Sequence, residues 1–174
     1  MKIGLCGTVS VGKSTLVKEL SKLPQFKDYT TATERSKYLR DLGVKLNTDS
    51  TIQGQFLFAN ERNLELLNDN LITDRTMWDV SAFTLSAKSI PFFDRKVLVE
   101  SFMLLKDEYD WVIYVDPIGV PIEDNGVRCI DVEYRDKIDV VIKELLVEFK
   151  PKNLLKIQGT TEERIKQIVE TIFP

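Results

Sequence analysis

The run Gly7-Thr8-Val9-Ser10-Val11-Gly12-Lys13-Ser14 places two glycines, a lysine and a serine at the spacing G-x-x-x-x-G-K-[ST]. These residue types at this spacing suit one task, the binding of a chain of phosphates. Gly7 and Gly12 permit backbone angles that turn successive N–H groups inward, and a helix opening at Lys13 adds its partial positive charge at the same point. Lys13 is placed to reach the β- and γ-phosphates of a nucleoside triphosphate such as ATP, with the Ser14 hydroxyl as a ligand of Mg²⁺. Val9, Ser10, Val11 and Thr15 complete the loop and the first helical turn around that ligand.

Other groups sit where further chemistry is needed. Asp74 and Arg75 follow the apolar run Leu71-Ile72-Thr73. Asp74 suits the orientation of magnesium-bound waters or the acceptance of a proton from an attacking hydroxyl. Arg75 offers a planar fork for an anionic group on an acceptor. A bland alternative has Asp74 capping the next helix and Arg75 in a surface pair. Asp116, at the end of Trp111 to Val115, competes for the metal, although Pro117 after it suggests a turn. Glu34-Arg35-Ser36-Lys37 offers a carboxylate for a ribose hydroxyl or for base catalysis, and Arg35 and Lys37 for an acceptor anion. A solvated helix start, with Glu34 favoured by the helix dipole, explains that cluster equally well. Arg128 lies in a loop with Glu123 and Asp124 within a segment, about 117–135, of the length and composition of a lid. Lid closure delivers a positive charge to the transferring phosphoryl group, and a solvated loop with Arg128 paired to Asp124 is the alternative. Trp78, Phe83 and Phe92 have faces that could stack on a base, but their helical spacing assigns them to the core.

The elements that must position these groups alternate. Short strands are expected at Ile3 to Cys6, Asp28 to Thr33, Leu71 to Thr73, Trp111 to Val115 and Leu154 to Ile157. Helices are expected over Lys13 to Lys22, Ser36 to Leu42, Thr51 to Leu67 (capped by Asp49 or Ser50), Met77 to Lys88, Phe92 to Lys106 and Tyr134 to Phe149. A last helix, Thr160 to Ile172, opens on a capping-box spacing between Thr160 and Glu163. Strands alternating with helices imply parallel pairing with both sheet faces covered. The pattern holds across all 174 residues without repeat or linker, so one α/β domain is expected.

Composition narrows the function classes. With 24 basic and 27 acidic residues the net charge is −3, which argues against a protein that coats nucleic acid. There is no histidine, so the usual zinc ligand is missing and any general base is a carboxylate. Cys6 and Cys129 offer neither a disulfide framework nor a metal spacing, which favours a reducing, cytoplasmic setting. The N-terminus does not read as a secretory signal, and no apolar run approaches the ~20 residues of a membrane span. Self-association is left open.

On these residues the chain resembles the ribosylnicotinamide kinase domain of bacterial NAD-biosynthesis regulators. The phosphate loop, the Glu34 cluster, Asp74, the Glu-Asp-Asn-Gly-Val-Arg stretch and Arg135 appear in the same order over most of the length. The Asp74-Arg75 pair is similar to that of thymidylate kinase and the deoxynucleoside kinases, where the two residues contact the acceptor. The segment Ile157-Gln158-Gly159-Thr160, leading into Glu163-Arg164, looks like the end of nucleoside monophosphate kinases, which places Gly159 near an ATP adenine. The chain also looks like the small nucleotide kinases of bacteriophages. The resemblance implies a three-layer P-loop NTPase fold with a five-stranded parallel sheet, ATP as donor, Mg²⁺ and a lid arginine.

Two departures redirect the acceptor. Glu34-Arg35-Ser36-Lys37 stands where the ribosylnicotinamide kinases tend to carry Glu-x-x-Arg, and they lack the arginine after Asp74. Three cations, Arg35, Lys37 and Arg75, exceed the needs of an uncharged nucleoside, so a nucleoside monophosphate is the favoured acceptor. A kinase for a DNA hydroxyl and a regulatory ATPase are the competing readings. A GTPase switch is excluded, because no guanine-reading Asn-Lys-x-Asp occurs.

Overall fold

The computed structural model describes residues 1–33, 36–120 and 132–174. Five strands form one parallel sheet: β1 (Lys2–Cys6), β2 (Thr30–Ala32), β3 (Leu71–Thr73), β4 (Trp111–Val115) and β5 (Leu154–Ile157). Their spatial order is β2-β3-β1-β4-β5. Register pairs Ile3 with Ile72 on one side and with Trp111 on the other. The central strand β1 therefore ends between the ends of β3 and β4, and the loops leaving these strands share one edge, where open α/β sheets bind ligands.

Seven helices among the described residues cover the two faces: α1 (Lys13–Leu20), α2 (Ser36–Asp41), α3 (Ile52–Glu65), α4 (Met77–Ser86), α5 (Phe92–Met103), α6 (Val132–Glu148) and α7 (Thr161–Ile172). The two-residue period of the strands sorts their side chains. Ile3, Leu5, Ile113 and Val115 pack with Leu16, Val17, Leu20 and Ile168 of α1 and α7. Cys6, Val112 and Tyr114 pack on the opposite face with Trp78, Phe102, Ile138 and Ile142 of α4, α5 and α6. The result is the three-layer sandwich expected from the alternation of elements.

Local chemistry adjusts several boundaries. Thr51, not Asp49 or Ser50, caps α3, with its side chain accepting from Gly54 N at 3.1 Å. Asn47–Asp49 instead form a 3₁₀ turn, and Ser50 is extended. Helix α5 stops at Met103, short of the expected Lys106, which opens a separate 3₁₀ turn. Helix α6 begins at Val132, so the end of the expected lid, up to Arg135, is helix; residues 121–131 lie outside the described residues. The core assignment holds for Trp78, which is fully buried, but not for Phe92, which is 63% exposed at the start of α5.

One close approach matters for the site. A Cβ on Gly4 would stand 2.5 Å from Thr76 Cγ2 and 2.9 Å from the Tyr109 ring. Glycine at this position lets the N-terminus of α4 lie against β1, just before the phosphate loop begins at Gly7.

Candidate active site

The loop from Gly7 to Ser14 leaves β1 and turns into α1 at Gly12, whose φ of +85° is the left-handed conformation that glycine adopts without a side-chain penalty. The loop is held from outside by buried side chains. Asp79, on the first turn of α4, accepts Gly7 N–H on Oδ1 at 3.1 Å. Arg164, on α7, donates to Val11 O at 2.7 Å and to Asp116 O at 3.2 Å, joining the loop to the end of β4. Thr8 Oγ1 donates to Arg135 O at 2.7 Å, tying the loop to α6. The Arg135 guanidinium in turn donates to Pro117 O at 3.1 Å and Val120 O at 2.9 Å, fixing the turn after β4.

Lys13 is folded back inside this loop. Its Nζ donates to Gly7 O and, at 2.8 Å, to Thr8 O, and lies 3.6 Å from Asp79 Oδ1. Burial pulls the ammonium below its ordinary pKa; the Asp79 carboxylate opposes that shift, and Arg75 adds to it. The next residue, Ser14, donates its hydroxyl to Asp74 Oδ2. Asp74 is 1% exposed and leaves β3 directly beside the loop, its N–H bonded to Ala32 O at 3.1 Å. It does not cap α4: that cap is Thr76, in a capping box with Asp79. Ser14 and Asp74 thus bring two hard oxygen donors together, the ligand type that Mg²⁺ takes alongside phosphate oxygens.

Between this edge and α3 lies a cleft whose empty space, with the open solvent at its mouth counted in, is about 780 Å³. Val9 to Ser14 form its donor wall, and Asp74 and Arg75 stand between the walls. Gln55, Phe58, Val80 and Phe83 form the far wall. The Arg75 guanidinium lies over the Phe83 ring, 4.8 Å from its centroid, so Phe83 belongs to the cleft as well as to the helix that carries it. The Gln55 amide is 2% exposed and locked at both ends, donating to Ser50 Oγ at 2.7 Å and accepting from Thr84 Oγ1 at 2.9 Å. Behind Arg75, Thr73 Oγ1 donates to Glu65 Oε2 at 2.8 Å, and Glu65 pairs with the fully buried Arg62 of the same helix. Burial raises the Glu65 carboxyl pKa, with Arg62 opposing.

Several expected groups fall elsewhere. Thr15 is exposed on α1 and does not line the cleft. Lys37 is exposed on the first turn of α2, and its neighbour Ser36 lines the cleft instead. Gly159 borders a separate shallow depression with Ile118 and Glu163. Asp116 turns from the cleft: its Oδ1 accepts Ile118 N at 2.9 Å, and its Oδ2 lies 2.8 Å from Lys156 Nζ. Glu34, Arg35 and Arg128 lie outside the described residues. The sequence reading missed Asp79, Gln55 and Arg164. The Thr76-x-x-Asp79 spacing signals a helix cap and so points at Asp79, whereas nothing local to Gln55 or Arg164 signals a long-range partner.

A parallel sheet whose central strand empties into a glycine-built phosphate cradle defines an α/β protein of the P-loop nucleoside-triphosphate-binding class. The chain belongs to the AAA-domain family, whose model matches residues 2–164. No curated protein matches it in sequence. Among solved structures it is similar to deoxyadenosine kinase from M. mycoides with the products dCMP and a flexible dCDP bound. That likeness has a TM-score of 0.66 and 18% identity, covering 99% of this chain and 98% of the other. The same enzyme with bound dATP gives a TM-score of 0.66 at 19% identity over the whole of both chains. At these identities the likeness establishes a shared fold.

Proposed function

We propose that the chain is a nucleoside or nucleotide kinase that transfers the γ-phosphate of ATP to a hydroxyl of a small acceptor. The observation that carries this reading is the joining of two unlike walls in one cleft. A phosphate loop forms one, and an apolar recess with a locked amide and a guanidinium forms the other. A hydrolase needs room only for water beside the γ-phosphate, whereas this recess has the aromatic faces and fixed polar group of a site for a flat, hydrogen-bonding molecule.

In this reading the loop N–H groups and Lys13 hold the donor phosphates, Lys13 exchanging its carbonyl partners for phosphate oxygens. Ser14 and Asp74 would hold Mg²⁺, which neutralises charge on the β- and γ-phosphates as the bond between them breaks. Asp74 is engaged with Ser14, so proton acceptance from the attacking hydroxyl falls to Glu34, which follows β2. Arg75 orients the acceptor, and Arg128 supplies charge from the loop after β4.

We favour a nucleoside over a monophosphate as the acceptor. Lys37 is exposed and does not line the cleft, and among the described residues lining it the cations are Lys13 and Arg75 alone. The products bound by the M. mycoides enzyme support the deoxynucleoside class. The deciding experiment screens nucleosides and nucleoside monophosphates for acceptor-dependent ADP release with ATP and Mg²⁺. Release with a nucleoside supports the stated acceptor, release only with monophosphates restores the other, and acceptor-independent release overturns the kinase reading. Arg75→Ala tests the recess within that assay: KM for the acceptor should rise by about 10-fold or more while KM for ATP changes little, the loss of one charge-assisted hydrogen bond.

A further inference from the structure

Asp79 is fully buried and lies outside the sequence pattern of the phosphate loop, yet its carboxylate meets as much of that loop as of its own helix cap. Oδ2 serves the cap, accepting from Thr76 N at 2.9 Å and Thr76 Oγ1 at 2.7 Å. Oδ1 is given to the loop, at 3.1 Å from Gly7 N and 3.6 Å from Lys13 Nζ. A cap alone accounts for only half of these contacts. The route by which the carboxylate reaches the loop is itself built into the sheet, since Gly4 lets Thr76 and the start of α4 lie against β1.

We propose that Asp79 is a positioning residue for the donor site: it fixes the first peptide of the phosphate loop and parks the Lys13 ammonium where it can swing onto an incoming triphosphate. This rests on the phosphate loop binding a nucleotide, as proposed above. Around the carboxylate stand Thr76 N, Thr76 Oγ1, Gly7 N, the Lys13 ammonium and the Cys6 thiol, and only a group with two acceptor oxygens satisfies both sides. An asparagine of the same shape has one oxygen and one NH₂. Whichever way it turns, the NH₂ faces donors, so either the cap or the loop loses its partner. Because Asp79 and the Asp74-Arg75 pair are five residues or fewer apart, the same short segment aligns both sides of the cleft.

The test compares Asp79→Asn, Thr76→Val and the wild type for ADP affinity by calorimetry in the presence of Mg²⁺, with Tm measured alongside. Asp79→Asn should weaken ADP by about 10-fold or more, the loss of an ion-supported hydrogen bond to the loop. Thr76→Val, which removes the cap hydroxyl and keeps the side-chain shape, should lower Tm but hold ADP affinity within about two-fold. A purely structural Asp79 predicts that both variants lose affinity in proportion to Tm, and that outcome overturns the proposal. A folded Asp79→Asn with wild-type affinity overturns it too. Should Asp79→Asn fail to fold, the wild-type protein still decides. A scalar coupling across the hydrogen bond between Gly7 ¹⁵N and the Asp79 carboxyl ¹³C is expected, and its absence overturns the tether. Failure of the wild type itself to bind ADP marks the separate failure of the nucleotide-site reading, and the positioning role falls with it.

Discussion

The wall of the cleft that carries Val9 to Ser14 and the wall that carries Gln55, Phe58 and Phe83 are built by different rules. The first is one continuous octapeptide whose working groups are largely backbone N–H and C=O. Its tethers come from three helices, the side chains of Asp79 of α4 and Arg164 of α7 and the main-chain carbonyl of Arg135 on α6. The second wall is assembled from residues on two helices, its Gln55 amide is satisfied by the side chains of Ser50 and Thr84, and the Arg62–Glu65 pair holds Thr73 behind it. A wall of backbone tolerates changes in side chains as long as its angles hold. A wall of side chains changes its ligand with any one of them. The donor side is therefore the fixed part of this fold, and the acceptor side is the part that can be re-specified.

The largest test of the contrast removes the one side chain that the donor wall cannot replace. Lys13→Ala should leave a folded protein, since two of the lysine's partners are backbone carbonyls of the loop and the third, Asp79, keeps its bonds to Gly7 N and Thr76. Phosphoryl transfer should fall by about 10²–10³-fold or more, the scale set by removing one preorganised charge-stabilising group. The check is kcat at saturating ATP together with a circular dichroism melt. Near-normal turnover in a folded variant removes the donor site from the loop.

Glu65→Ala makes the corresponding cut on the other wall and should read out in stability. It strips the main partner from Arg62, whose guanidinium is fully buried, and removes the acceptor of Thr73 Oγ1. A buried charge left without its partner costs roughly 3 kcal/mol, the low end for such losses because Glu61 remains 3.8 Å from Arg62. Urea unfolding measures it. If stability is unchanged, Arg62 is reaching water and the wall is less rigid than its contacts imply.

The same contrast explains what could be read from the residues alone. The donor wall is local in sequence, so spacing revealed its chemistry, and hydrophobic period gave the strands that flank it. Asp74 emerged because it follows a short apolar strand. Gln55 and Arg164 are joined to their partners across distances of 29 and 153 residues, and no periodicity encodes such a pairing. Lys37 misled for a related reason: charge composition counts cations without knowing which face of α2 carries them. Asp79 stood between these cases, visible as a cap residue but not as a partner of the loop.

The smallest effect separates main-chain tethering from surface charge at the edge of the donor wall. Asp116 contributes to that wall through its carbonyl, which accepts from Arg164, while its carboxylate holds Ile118 N and faces Lys156, whose side chain is 59% exposed. Burial pushes the Asp116 carboxyl pKa up, but Lys156 and the Ile118 N–H outweigh it and leave the carboxyl below its ordinary value. A depressed carboxyl stabilises the fold above the pKa it has when unfolded, about 3.9, and that contribution is lost as pH falls through the lower folded value. Asp116→Asn keeps the carbonyl and an acceptor for Ile118 but lacks the charge. The wild type should therefore be the more stable of the two at pH 7, by less than about 1 kcal/mol given the exposure of Lys156. The gap should begin to narrow as pH falls below about 4 and close once the folded carboxyl, whose pKa is lower, is protonated. Paired denaturation curves at pH 7 and pH 3 measure both points. A gap that does not narrow at all between pH 7 and pH 3 assigns the effect to the Ile118 turn rather than to Lys156, and the edge of the donor wall is then held by hydrogen bonds alone.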